Sequence, residues 1–272
     1  LRPPDSAAFD TFAAFIDLVG DTALVGAPGA ARVGNAAGGR AYLLNAAPNS
    51  NDWSFSQTLQ DPTGVAGDGF GFSVALGNTP LRAFVGTPFS ANGATPAVGH
   101  ALEFRPPAPG TGAIDWAVVR RIASPIALPG TQFAAALAAH PDGVILGANG
   151  VDDAGLIDIG AGFLAPHFQA AQILAAPPIA RAATGRFVAA SPSGLALFAA
   201  PGVATLNPQE GAVFELLGAA QRFDVVERRD RGKRRQTGGP GELLPGPTFE
   251  VGRDEQRVAR LELQFFGERT HA

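Results

Sequence analysis

A phenylalanine followed by small residues, then a hydrophobic run ending in Gly-Ala-Pro or a near variant, is written four times along this chain. The first copy runs from Phe12-Ala13 to Leu24-Val25-Gly26-Ala27-Pro28. The second runs from Phe70-Gly71-Phe72-Ser73-Val74-Ala75-Leu76 to Phe84-Val85-Gly86-Thr87-Pro88. The third runs from Phe133-Ala134 to Ile145-Leu146-Gly147-Ala148, and the fourth from Phe187-Val188 to Leu197-Phe198-Ala199-Ala200-Pro201. The closing glycine falls at Gly26, Gly86 and Gly147 and is replaced by Ala199, so the spacings are 60, 61 and 52 residues. A period of this size means stacked supersecondary units, none of which can bury its apolar face alone.

Two further elements recur in register. One follows a small-residue turn, at Gly39-Arg40-Ala41-Tyr42, Gly99-His100-Ala101-Leu102, Gly160-Ala161-Gly162-Phe163 and Gly211-Ala212-Val213-Phe214. The other opens on an aromatic residue, at Trp53-Ser54-Phe55, Trp116-Ala117-Val118, Phe168-Gln169-Ala170 and Phe223-Asp224-Val225. Each unit therefore reads as four short strands bounded by Gly, Pro, Asn and Asp clusters. Four antiparallel strands per repeat make a β-propeller blade, so the expected fold class is all-β, with about four blades near 12–62, 70–125, 133–178 and 187–230. In that geometry the innermost strands crowd the axis and favour Gly, Ala or Ser, while the motif phenylalanine fills the space between blades. The Gly of Gly-Ala-Pro lets the backbone bend out of the strand, and Pro ends the ladder. Ala-rich stretches such as Phe133 to Ala139 have helix propensity. Gly or Pro interrupts nearly every ten residues, however, which leaves no room for the roughly 12 to 15 residues a helix needs.

These residues resemble the FG-GAP repeat, the blade unit of the integrin α-subunit propeller, and are most similar in look to repeats of bacterial secreted and surface proteins. The resemblance is best in Gly67-Asp68-Gly69-Phe70-Gly71-Phe72-Ser73 and in Gly20-Asp21-Thr22-Ala23-Leu24-Val25-Gly26-Ala27-Pro28, and covers about residues 1 to 230. In the third and fourth copies Gly71 is replaced by Ala134 and Val188, and Pro28 by Asn149. The resemblance implies adhesion or recognition outside the cell. It also implies a calcium loop rich in Asp just before the Gly-Ala-Pro strand, and there this chain departs from the pattern. Its turns there, at 19–22, 77–80, 140–143 and 191–194, hold no more than one acid each, whereas calcium takes six to eight oxygen ligands. No family-type calcium site is expected. The acidic group Asp152, Asp153 and Asp158 lies after the strand and reads as a solvated loop.

Seven such blades would need more residues than the 272 present. Leu1 stands eleven residues before Phe12, as Leu59 stands before Phe70, so Leu1 reads as the end of a preceding outer strand. The expectation is a piece of a propeller with at least five blades. The alternative is a four-bladed ring closed by residues 1 to 6. The propeller region extends over 1–235. A Gly/Pro-rich linker over 236–252 follows, and 253–272 holds a possible extra strand or the start of another domain, with Arg260 to Phe265 alternating as a strand does. The chain has no Cys, so disulfides and thiol chemistry are excluded, and no apolar run is long enough for a membrane span. A formal net charge of −4 argues against nucleic acid as the main partner. The basic run Arg228 to Arg235 reads as a solvated loop.

Catalysis needs a nucleophile or acid–base pair with an orienting partner. The four histidines, His100, His140, His167 and His271, sit in no recognised catalytic or metal-binding spacing and read as surface or edge residues. Gly67 to Gly71 lacks the lysine and helix that cradle phosphate. No catalytic, cofactor-binding or metal-ligating residue is identified. The function expected is a secreted or cell-surface binding or adhesion scaffold, not an enzyme, with a protein or glycan as ligand. The alternatives are the non-catalytic part of an extracellular hydrolase or lyase, and a structural spacer. Arg32, Asn35, Phe89, Asn92 and His100 are the loop residues expected to be exposed after the Gly-Ala-Pro position.

Overall fold

The computed structural model describes residues 1–30, 38–47, 52–78, 80–108, 110, 115–148, 150, 161–167, 171–175, 185–200, 212–216, 223–226 and 258–261. All of its regular structure is β, and no helix occurs among these residues. The first sheet holds β1 (Phe15–Val19), β2 (Thr22–Ala27), β3 (Arg40–Ala46) and β4 (Trp53–Leu59) in chain order. The second holds β5 (Ser73–Asn78), β6 (Leu81–Thr87), β7 (His100–Arg105) and β8 (Ala117–Ala123), again in order. The third consists of β9 (Phe133–His140), β10 (Gly143–Ala148), β11 (Ala161–Pro166) and β12 (Gln172–Ala175). The fourth runs β13 (Phe187–Ala190), β14 (Ala196–Ala200), β15 (Ala212–Leu216) and β16 (Phe223–Val226), with a fifth strand, β17 (Val258–Leu261), added antiparallel on β16. These are propeller-like blades. Phe168 lies outside the described residues, and the third outer strand runs over Gln172–Ala175.

Burial explains the sequence pattern of each strand. Middle strands such as β2, β6 and β10 are covered on both faces and are therefore almost continuously apolar. The outer strand β4 has one wet face and alternates. Blades pack face to face. Leu24, Ala41 and Leu43 of the first meet Phe70, Val74, Leu76 and Val85 of the second in one core cluster. Ala75, Phe84 and Ala101 of the second meet Phe133, Val144, Leu146 and Phe163 of the third in another. Phe70 and Phe133 are fully buried between blades, each worth roughly 2–3 kcal/mol of transfer free energy.

Strand pairing fixes the repeat register. Gly26 faces Phe15, Gly86 faces Ser73, Gly147 faces Ala136 and Ala199 faces Phe187. Two residues before these partners stand Ala13, Gly71, Ala134 and Gly185, all with positive φ, at 65°, 91°, 66° and 81°. The fourth repeat is therefore shifted by three residues from the sequence reading: Gly185, not Val188, takes the place of Gly71, and Phe187 takes the place of Ser73. Phe187 is accordingly 61% exposed and fills no gap between blades.

The closing glycines also have a different reason from the one expected. Gly26, Gly86 and Gly147 lie within β2, β6 and β10 and do not bend out of them. A Cβ on Gly26 would stand 2.0 Å from the carbonyl oxygen of Gly71, one on Gly86 2.2 Å from that of Ala134, and one on Gly147 1.8 Å from that of Gly185. Each glycine is the seat on which the next blade's backbone rests. Polar ties accompany these seats: Leu76 N–H donates to Asp17 Oδ2 at 2.7 Å, Ser73 Oγ to the Ala134 carbonyl at 2.6 Å, and Arg120 Nη1 to the Pro166 carbonyl at 2.6 Å. Gln57 and the Trp116 backbone clamp each other in both directions, at 3.0 and 2.7 Å.

Candidate functional site

The connector between the first two blades, the loop after β6 and the start of β7 meet at one buried cluster. His100 Nδ1 lies 2.5 Å from Ser90 Oγ, and its Nε2 lies 2.7 Å from Asp61 Oδ2. All three residues are 3% exposed or less. Ser90 Oγ also donates to the Thr87 carbonyl at 3.0 Å. Asp61 Oδ1 accepts from the backbone N–H and the hydroxyl of Thr63, at 2.7 and 2.8 Å. Burial pushes the Asp61 carboxyl upward, but the bonds from His100 and Thr63 outweigh it and hold the group at about 2.

These are the residue types of a nucleophilic triad. A nucleophilic serine must hand its proton to histidine beside an open substrate site. Here Ser90 is 3% exposed and meets the Thr87 carbonyl as well as His100. The cluster ties down the base of the loop between β6 and β7, where Gly99 N–H also donates to the Ser90 carbonyl at 3.0 Å. At the loop's tip Asn92 and Thr95 exchange backbone hydrogen bonds at 2.9 and 3.1 Å, and Asn92 to Ala94 are exposed. Phe89 stands edge-on to Phe72, centroids 5.1 Å apart, and remains 39% exposed. The result is an exposed loop on a rigid footing.

The first blade carries a counterpart. Arg40, at the position of His100, pairs through Nη1 with Asp5 Oδ2, and the Tyr42 hydroxyl donates to Asp5 Oδ1 at 3.0 Å. In both cases a basic side chain at the head of the third strand holds an acid in the segment preceding its blade.

A second feature lies at the hub, where a cavity of about 540 Å³ is walled by the inner strands β1, β5, β9 and β13. Its lining includes Ile16, Val74, Leu76 and Leu137, so the hub is not limited to the small side chains expected there. Arg82 reaches its edge but is bonded to Glu103, on which Arg105 and Arg120 also converge, at 3.2 and 2.9 Å. His167, also on the wall, is held below the usual histidine range by burial first and by the Arg82 charge second.

The structure corrects the sequence reading of two histidines. His100 is buried, not exposed. His140 is 8% exposed, accepts from Asp142 N–H at Nδ1 (3.1 Å) and donates from Nε2 to the Gly194 carbonyl of the fourth blade at 3.0 Å. Phe89 and Asn92 are exposed as expected. Arg32, Asn35, Asp152, Asp153, Asp158, His271 and the run Arg228 to Arg235 lie outside the described residues. Among the described residues no three His, Cys, Asp or Glu side chains gather as metal ligands, and no helix is long and apolar enough to cross a membrane.

The family model for the FG-GAP repeat matches residues 1–44, which hold β1, β2 and most of β3. That segment is similar to an FG-GAP repeat. The remaining sheets repeat the strand order of that first unit, and the second and third repeat its glycine seat. No curated protein matches the chain.

Proposed function

We propose that this chain is an FG-GAP-type scaffold, secreted or at the cell surface, that binds a protein or glycan through rim loops, without catalysis or calcium of its own. The observation that carries the reading is the footing under the loop from Phe89 to Val98. Its Ser, His and Asp groups are consumed in holding the loop while its tip faces solvent. Loops displayed on a rigid β frame are the usual place for recognition. A panel of glycans and extracellular proteins presented to the immobilised chain tests it. Binding that falls at least about tenfold in Phe89→Ala or Asn92→Ala, a change of about 1.4 kcal/mol, supports the reading. Turnover of an ester or glycan by the chain, lost on His100→Ala, contradicts it. Calcium and a chelator should leave the melting temperature unchanged, and saturable stabilisation by calcium would refute that part.

A further inference from the structure

Two asparagines in the chain precede glycine, Asn92 before Gly93 and Asn149 before Gly150. In such a pair the glycine nitrogen is able to attack the asparagine side-chain carbonyl, because the following residue has no β-carbon to obstruct the approach. The reaction needs that nitrogen unengaged and the turn open to solvent. The two pairs differ in both respects.

Asn92, Gly93 and Ala94 are exposed at the tip of the loop between β6 and β7, and a β-carbon on Gly93, φ 60°, would meet nothing within 4 Å. Among the described residues no hydrogen bond engages the Gly93 N–H or the Asn92 side-chain amide. One isolated bridge, Asn92 to Thr95, closes the tip outside any sheet. Tips of this kind open locally at little cost in free energy, which lets the Asn92 main chain rotate into reach. Gly150 is buried instead, its N–H donates to the Thr131 carbonyl at 3.2 Å, and a β-carbon on it would lie 1.5 Å from the Gly130 carbonyl oxygen.

We propose that Asn92 is a site of spontaneous covalent modification, at which the loop tip converts its own amide to a carboxylate. Base removes the Gly93 amide proton, the nitrogen bonds to Asn92 Cγ, and the Cγ–Nδ2 bond breaks, Nδ2 leaving with its electron pair and taking protons from water to become ammonia. Water then opens the five-membered imide. Cleavage of the new Cγ–N bond gives aspartate. Cleavage of the original peptide bond gives isoaspartate, which routes the chain through the side chain and adds a methylene to the backbone. Either product places a negative charge on a loop that has no charged residue from Phe89 to Val98. Isoaspartate also replaces the main-chain carbonyl that Thr95 N–H bonds at 3.1 Å, so the bridge loses its register. An effect on ligand binding rests on the recognition role proposed above; the chemistry does not.

Prolonged incubation of the folded chain in mildly alkaline buffer, followed by tryptic digestion and mass spectrometry, tests this. Arg120 and Arg121 lie between the two asparagines, so trypsin places them in separate fragments. The fragment holding Asn92 should gain one mass unit, and become a substrate for isoaspartate methyltransferase, at least about tenfold faster than the fragment holding Asn149. In urea, where the Gly150 N–H is released, the two should react at similar rates. Asn92→Gln should keep its fragment at constant mass, since its longer side chain must close a six-membered ring, and circular dichroism checks that this variant is folded. A folded chain in which the Asn92 fragment holds its mass overturns the proposal, as does one in which Asn149 reacts as fast as Asn92.

Discussion

At the residue scale, Asp61 shows how one carboxylate serves several elements. It accepts from His100, at the head of β7, and from Thr63 in the connector between blades, and it is buried. Its pKa is depressed to about 2 from 3.8, so its contribution to folding is fully present above the unfolded value and is lost as pH falls through the folded one. That contribution is about 2 kcal/mol. Asp61→Asn should therefore destabilise the protein at neutral pH by about 3 kcal/mol, because it leaves a buried imidazole without its anion. It should also flatten the loss of stability between about pH 4 and pH 2, the window between the two pKa values. Urea midpoints across that range check both, and parallel acid limbs in the two proteins would contradict the assignment. None of this was legible in the sequence, since Ser90 and Asp61 stand 10 and 39 residues from His100 and share no spacing motif with it.

At the element scale, the four-strand unit was legible because its middle strands are short apolar runs ended by Gly and Pro. The sheet orders follow the chain, as that pattern implies. The sequence pattern misplaces the fourth repeat by three residues because Phe187 offers an aromatic side chain near the motif position. The backbone obeys the positive φ of Gly185 instead. The phenylalanines at 133 and 187 should thus differ on truncation. Phe133→Ala opens a cavity between the second and third blades and should cost about 3–5 kcal/mol. Phe187→Ala removes an exposed ring and should stay within about 0.5 kcal/mol of the parent. Equal losses in chemical denaturation would contradict the three-residue shift. The hub cavity and the Arg82, Arg105 and Arg120 group around Glu103 were not legible either, because they arise only where separate strands and blades converge.

At the scale of the whole molecule, the array is held together by a recurring contact in which one blade's carbonyl oxygen rests where a closing glycine has no side chain. Apolar cores on either side of that seat supply most of the burial, and the seat sets how closely the sheets approach. The comparison of Gly86→Ala with Gly77→Ala tests this most directly. Both glycines lie in strands of the second blade with ordinary backbone angles, but a methyl on Gly77 meets its nearest neighbour at 3.7 Å, whereas one on Gly86 meets Ser73 Oγ at 2.1 Å and the Ala134 carbonyl at 2.2 Å. Equilibrium urea unfolding should show Gly86→Ala destabilised by about 3 kcal/mol or more, with Gly77→Ala close to the parent. Two variants of equal stability would contradict the account.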